Sequence, residues 1–155
     1  MRLLAVLAAA VLPQSGTFVP GVSLGGVRLG MTGAQVERLW GRDYGSCRGC
    51  PRTTWYFTYQ RFDPKGTEVQ LERGRVVAVS TLWSPDRWRT TRGLQLGDET
   101  VRITFFYGPL KSVACRNYTA LVLPAARATS AFYVVDGRLW GFGLVGRSRS
   151  ACLSR

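Results

Sequence analysis

Any catalysis by this chain would have to come from four cysteines, nine carboxylates and 21 basic residues, because it contains no histidine. Without an imidazole there is no Ser-His or Cys-His nucleophile pair, and most zinc and iron sites are excluded as well. The carboxylates are scattered. Asp98 and Glu99 read as a helix cap with its first-turn neighbour, and Asp86 as a linker acid. No two have the spacing of a glycosidase pair facing one cleft. Gly25-Gly26 is not followed by the Gly-Lys-Ser/Thr of a phosphate loop. The reading is therefore a protein that is not an enzyme, with no metal and no cofactor.

The cysteines have a structural explanation. Cys47-Arg48-Gly49-Cys50 sits in a Gly/Arg loop ahead of Pro51, whereas a redox pair needs a helix N-terminus to stabilise its thiolate. A zinc site needs a second close pair, and Cys115 and Cys152 are far apart in sequence. Disulfides in an oxidising compartment are the expectation. Three pairings are open. The favoured one joins Cys47 to Cys50 within one loop and Cys115 to Cys152, tying down the tail.

Residues 1–12 begin with a charge and continue as a short apolar run, the pattern of a signal peptide too short to span a membrane. A leader over 1–20 is expected, with cutting between Pro13 and Val22, and the product is expected in the secreted, periplasmic or cell-envelope fraction without stable membrane insertion. The net charge of +12 is almost wholly arginine. It suits an acidic protein partner, a wall polymer or a lipid surface. No recognition helix, RNP pattern or Lys/Arg run points to nucleic acid.

The scaffold for these residues is organised around Leu29–Gly41. Thr32 and Gln35 have the spacing of a capping box, Val36, Leu39 and Trp40 form an apolar stripe, and Gly41 suits the helix end. A weaker copy runs from Leu96 to Gly108, with Asp98 as N-cap and Val101, Phe105 and Phe106 as the stripe. Leu29-Gly30 and Leu96-Gly97 are 67 residues apart, and so are Trp40-Gly41 and Tyr107-Gly108, which suggests a tandem duplication. Three strands follow each helix: Thr53–Tyr59, Thr67–Glu72 and Arg75–Trp83, then Asn117–Leu123, Thr129–Val135 and Arg138–Val145. Arg73-Gly74 and Asp136-Gly137 are hairpin turns. The domain reading is a first unit at 21–84 and a second at 90–152.

Strict alternation from these turns assigns faces. Gln70, Glu72, Arg75, Val77, Val79 and Trp83 share one face and must look outward, since unpaired charge is costly to bury. The matching face of the second unit carries Tyr133, Val135, Arg138, Trp140 and Phe142. An exposed aromatic cluster rimmed by arginines has the composition of a protein-binding surface. The other readings are inverted faces, or two such faces packed together. The expected contact residues are Tyr133, Trp140, Phe142, Arg138, Arg75, Val77 and Trp83.

Val27-Arg28-Leu29-Gly30-Met31-Thr32, Gln35-Val36, Trp40-Gly41, Thr54-Trp55-Tyr56-Phe57 and Val69–Val76 together resemble the SmpA/BamE family of small envelope lipoproteins. The tandem arrangement with loop cysteines is similar to the secreted β-lactamase inhibitory proteins. That resemblance implies an α+β fold of two helix-plus-antiparallel-sheet repeats, whose sheets grip a partner protein. The inhibitors present an aspartate-bearing loop before the first aromatic strand, and here that region is Cys50–Thr54, with no acid. The functional expectation is a secreted, non-catalytic module that binds an extracytoplasmic protein through an aromatic and arginine sheet face. The alternatives are an inhibitor of a secreted enzyme and an envelope protein that binds anionic polymer.

Overall fold

The computed structural model describes residues 16–57, 66–82 and 88–153. Two short strands, β1 (Thr17–Val19) and β2 (Ser23–Leu24), lead into helix α1 (Gly33–Trp40). Then come β3 (Gly45–Ser46), β4 (Thr53–Phe57), β5 (Gly66–Glu72) and β6 (Arg75–Leu82). Strand β7 (Arg89–Thr90) precedes helix α2 (Thr100–Tyr107). The last strands are β8 (Lys111–Ala114), β9 (Thr119–Pro124), β10 (Ala128–Val135) and β11 (Arg138–Gly146).

The expected pair of helix-plus-sheet repeats is corrected by this arrangement. Strand accounts for 48% of the described residues and helix for 13%. One antiparallel sheet of eight strands runs β3-β4-β5-β6-β11-β10-β9-β8. Its central seam pairs β6 with β11, placing Gly141 opposite Leu82 and Val145 opposite Ala78. Strands β3 and β8 occupy stretches that read as loops, because short strands are set by the partner they pair with rather than by local pattern. A small sheet, β2-β1-β7, lies beside the large one.

The two helices and the small sheet cover one face. Phe18 of β1 packs on Phe132 and Phe142 at ring distances of 5.9 and 5.1 Å. Trp40 of α1 meets Phe57 edge-on at 5.2 Å and donates from its indole to the Gly25 carbonyl at 2.9 Å. Val36, Val69, Val79, Ile103, Leu139 and Leu144 complete a continuous core on this side. The leader expected over 1–20 falls mostly outside the described residues, but its end, 16–20, is built into the fold through β1. Among the described residues, no helix is long and apolar enough to cross a membrane.

The capping box on α1 forms: Gln35 N donates to Thr32 Oγ1 at 3.3 Å, and Thr32 N donates to Gln35 Oε1 at 2.8 Å. Helix α2 differs from its expectation. Its N-cap is Glu99, with no side-chain cap, while Asp98 accepts from Gln95 N instead. Only Ile103 is buried on it, whereas Val101 and Phe105 are 66% and 81% exposed. The Val101/Phe105/Phe106 stripe is therefore not the buried one.

Each helix start is fastened to a hairpin. Gly30 N donates to Val76 O and Val76 N to Met31 O, both at 2.8 Å. At α2, Gly97 N donates to Leu139 O at 2.7 Å and Leu139 N to Asp98 O at 2.8 Å. The hairpins turn through Arg73-Gly74 and Asp136-Gly137, all four residues at positive φ. That geometry suits the right-handed twist of the strands and explains the glycine at each second position.

Candidate functional site

The expected binding surface is a sheet face, and two bulges decide which residues the face opposite the helices carries. Between Gln70/Leu71 and between Tyr133/Val134 the register slips by one residue. Leu71 pairs with Val76 but Gln70 with Ala78, so Val77 is the extra residue. Val134 pairs with Leu139 but Tyr133 with Gly141, so Trp140 is the extra one. A bulge reverses side-chain parity beyond it. Val79 and Phe142 therefore join the helix-side core, both fully buried, instead of the outer face.

The expected contact residues are accordingly separated. Phe142 is in the main core. Tyr133 lies on the outer side but is also fully buried, in a second cluster with Leu82, Ala120, Val122, Ala131 and Ala151. Trp140 and Val77 are half-buried. Arg75 and Arg138 are exposed, yet their side chains are spent on the helix starts: Nη1 of each donates to a carbonyl, Gly30 O at 2.9 Å and Gly97 O at 3.1 Å. Arg138 also meets Glu99 at 3.6 Å. Trp83 lies outside the described residues. Strand alternation gave no warning of either bulge.

Tyr133 is buried because the tail folds over it. Its ring lies across Gly141 and Gly143 of the neighbouring strand, and a β-carbon at Gly143 would collide with it. Its hydroxyl donates to Ala151 O at 3.1 Å. The Cys115–Cys152 disulfide pins the tail there, and Leu153 N donates to Tyr118 Oη at 2.7 Å. Cys47–Cys50 closes the other expected bridge. Tyr118 meets Tyr133 edge-on at 5.6 Å and Trp140 at 5.8 Å. Tyr118 with Trp140 is an aromatic pair left partly open on this face.

Burial pushes the Tyr133 phenol well above the usual tyrosine range, with smaller contributions from Tyr118 and Glu68. The folded protein keeps this proton where the unfolded phenol, with a pKa of about 10, has lost it. Stability is present below that value and is expected to fall as pH rises above it. Spectrophotometric titration should show one tyrosine ionising only as the protein unfolds, and Tyr133→Phe should remove that component.

Where the tail crosses towards β5 and β6 it leaves a cleft of about 440 Å³, lined by Arg52, Glu68, Gln70, Ser80, Tyr133 and Arg149 among others. Ser80 is 3% exposed, and its hydroxyl has no hydrogen-bond partner among the described residues. A buried orphan of this kind costs about 1–3 kcal/mol unless something in the cleft satisfies it. Gln70 Nε2 donates to Glu68 Oε1 at 3.3 Å. Arg149 is ion-paired to Glu72, while Arg52 makes no ion pair with a described carboxylate. Sequence patterning passed over this cleft, because the tail that roofs it carries no strand or helix signal.

Among solved structures, the chain resembles a DUF4309 family protein from Bacillus subtilis, with a TM-score of 0.58 and 15% identity over 75% of this chain and 78% of that one. An extracellular protein containing an SCP domain from Bacillus anthracis matches at 0.55 and 8% identity, over 77% of this chain and 44% of that one. A cysteine-rich secretory protein from Staphylococcus aureus matches at 0.55 and 12%, over 86% of this chain and 50% of that one. The chain thus spans half or less of the last two. At these identities the likeness is one of fold. It corrects the sequence resemblance, since none of the three is a β-lactamase inhibitory protein or an SmpA/BamE protein. No family model and no curated protein matches. The two disulfides belong to an oxidising compartment.

Proposed function

We propose that this is a non-catalytic binding protein, exported from the cytoplasm, which docks an acidic protein partner on the sheet face opposite its helices. The observation that supports this most is the distribution of charge. Glu37, Glu72, Asp98 and Glu99 already each hold an arginine, Arg42, Arg149, Arg102 and Arg138 respectively. Nine acids cannot neutralise 21 bases, so an excess of positive charge, mostly arginine, remains on the protein. Such a field favours encounter with an acidic surface. Tyr118 and Trp140, half-buried and in contact, are the residue types that anchor protein interfaces.

The test is capture of extracytoplasmic proteins by the mature chain over a range of salt, beside Tyr118→Ala and Trp140→Ala. A partner centred on these aromatics should persist at moderate salt and weaken by more than about tenfold in Trp140→Ala, a loss typical of an anchor residue. Binding that collapses with salt and ignores Trp140→Ala would mean an anionic polymer held by charge alone.

A further inference from the structure

The layer on the helix side of the sheet has exposed chemistry of its own. Helix α1, the small sheet and α2 join into one cover. Trp40 of α1 donates to the Gly25 carbonyl just past β2, and Leu39 lies near Gly26. On the β7 side, Arg92 donates to Phe106 O and sits 5.0 Å over the Tyr107 ring of α2. Among the described residues, the exposed large hydrophobics are Val22, Leu39, Val101 and Phe105, and all four belong to this layer. Val22 is in the turn between β1 and β2, Leu39 is on α1, and Val101 and Phe105 are on α2. An apolar set gathered on one side of a protein marks a contact with another protein or a membrane.

The charges of this layer choose between the occupants. Glu37, Asp98 and Glu99 are taken by Arg42, Arg102 and Arg138. Arg28, Arg38, Arg89 and Arg92 are exposed and make no ion pair with a described carboxylate. Against these four stands Asp43, just past α1, the one acid of segments 16–44 and 88–110 without an ion pair among the described residues. A second copy seated face to face would set these arginines against their own duplicates, which opposes association. A protein partner would have to supply a pocket for each projecting side chain. A lipid surface needs no pockets, because apolar tips sink into the boundary between headgroups and acyl chains while arginines meet the lipid phosphates. We propose that this layer seats the protein on an anionic lipid bilayer, with Val101 and Phe105 as its deepest contacts. The contact is adsorption rather than spanning, since no helix among the described residues is long and apolar enough to cross. The proposal stands apart from the partner-docking reading: it uses neither Tyr118 nor Trp140, and it turns the opposite sheet face away from the lipid.

The probe is co-sedimentation of the mature protein with vesicles of phosphatidylcholine and phosphatidylglycerol in equal parts, beside vesicles of phosphatidylcholine alone. Saturable binding is expected on the anionic vesicles and little on the neutral ones. Phe105→Ala should weaken it by about tenfold, the loss of one apolar side chain from the lipid boundary. The melting temperature should stay that of the parent, because the Phe105 ring is already largely in solvent. Arg38→Gln should weaken binding by about fivefold. Arg147→Gln should leave it unchanged, since Arg147 is exposed where the tail begins to cross the opposite face. Absence of binding to the anionic vesicles would overturn the proposal, as would equal binding to the neutral ones. Equal losses in Arg147→Gln and Arg38→Gln would mean that charge acts without orientation, and indifference to Phe105→Ala would remove the apolar contact. A dimer in lipid-free solution that Phe105→Ala dissociates would assign the face to a second copy instead.

Discussion

Tyr133→Ala is expected to cost roughly 3–5 kcal/mol of folding stability, the range for deleting a large buried aromatic. The ring is fully buried and lies over Gly141 and Gly143, so its removal leaves a gap that two glycines cannot fill. Tyr133→Phe keeps the ring and loses only the hydrogen bond to Ala151 O, which is expected to cost about 0.5–1.5 kcal/mol. Urea unfolding of the two variants beside the parent measures both values. The order matters for function too, because a tyrosine that mainly contacted a partner would leave folding nearly unchanged when truncated.

Removing the Cys115–Cys152 bridge is expected to have a comparable effect. The bridge joins residues 37 apart, a loop for which the chain-entropy model gives a stabilisation of roughly 3–4 kcal/mol. It also holds Ala151 and Leu153 against the second core cluster. Cys115→Ala/Cys152→Ala should lower the melting temperature sharply and increase binding of a hydrophobic dye, as the tail leaves Tyr133. Cys47–Cys50 spans only three residues, and Cys47→Ala/Cys50→Ala should have a much smaller effect.

Local rules were legible where the chain solves local problems. Thr32 and Gln35 cap α1 as their spacing requires, the two-residue turns fall at Arg73-Gly74 and Asp136-Gly137, and both cysteine pairs close as favoured. What was not legible depends on distant partners. The seam of β6 with β11, and the pairing that turns Lys111–Ala114 into a strand, are contacts between segments far apart in sequence. The bulges at Val77 and Trp140 mattered most for the site. Each adds one residue three places after the glycine of a hairpin turn, and the shift at Trp140 carried Phe142 from the expected binding face into the core. The arginines failed for a different reason. Arg75 and Arg138 were expected to serve charge complementarity, but each lies beside an open backbone carbonyl at a helix start and bonds to it.

Two apolar surfaces now compete for a partner: Tyr118 with Trp140 on the sheet, and the exposed Val101 and Phe105 of α2. Site-specific photo-crosslinking decides between them. A photoreactive residue would replace Trp140 in one version of the protein and Phe105 in another, each exposed to the captured partner. An adduct is expected from position 140 and none from position 105. An adduct from position 105 alone would place the partner on the helix side and contradict the assignment of the sheet face.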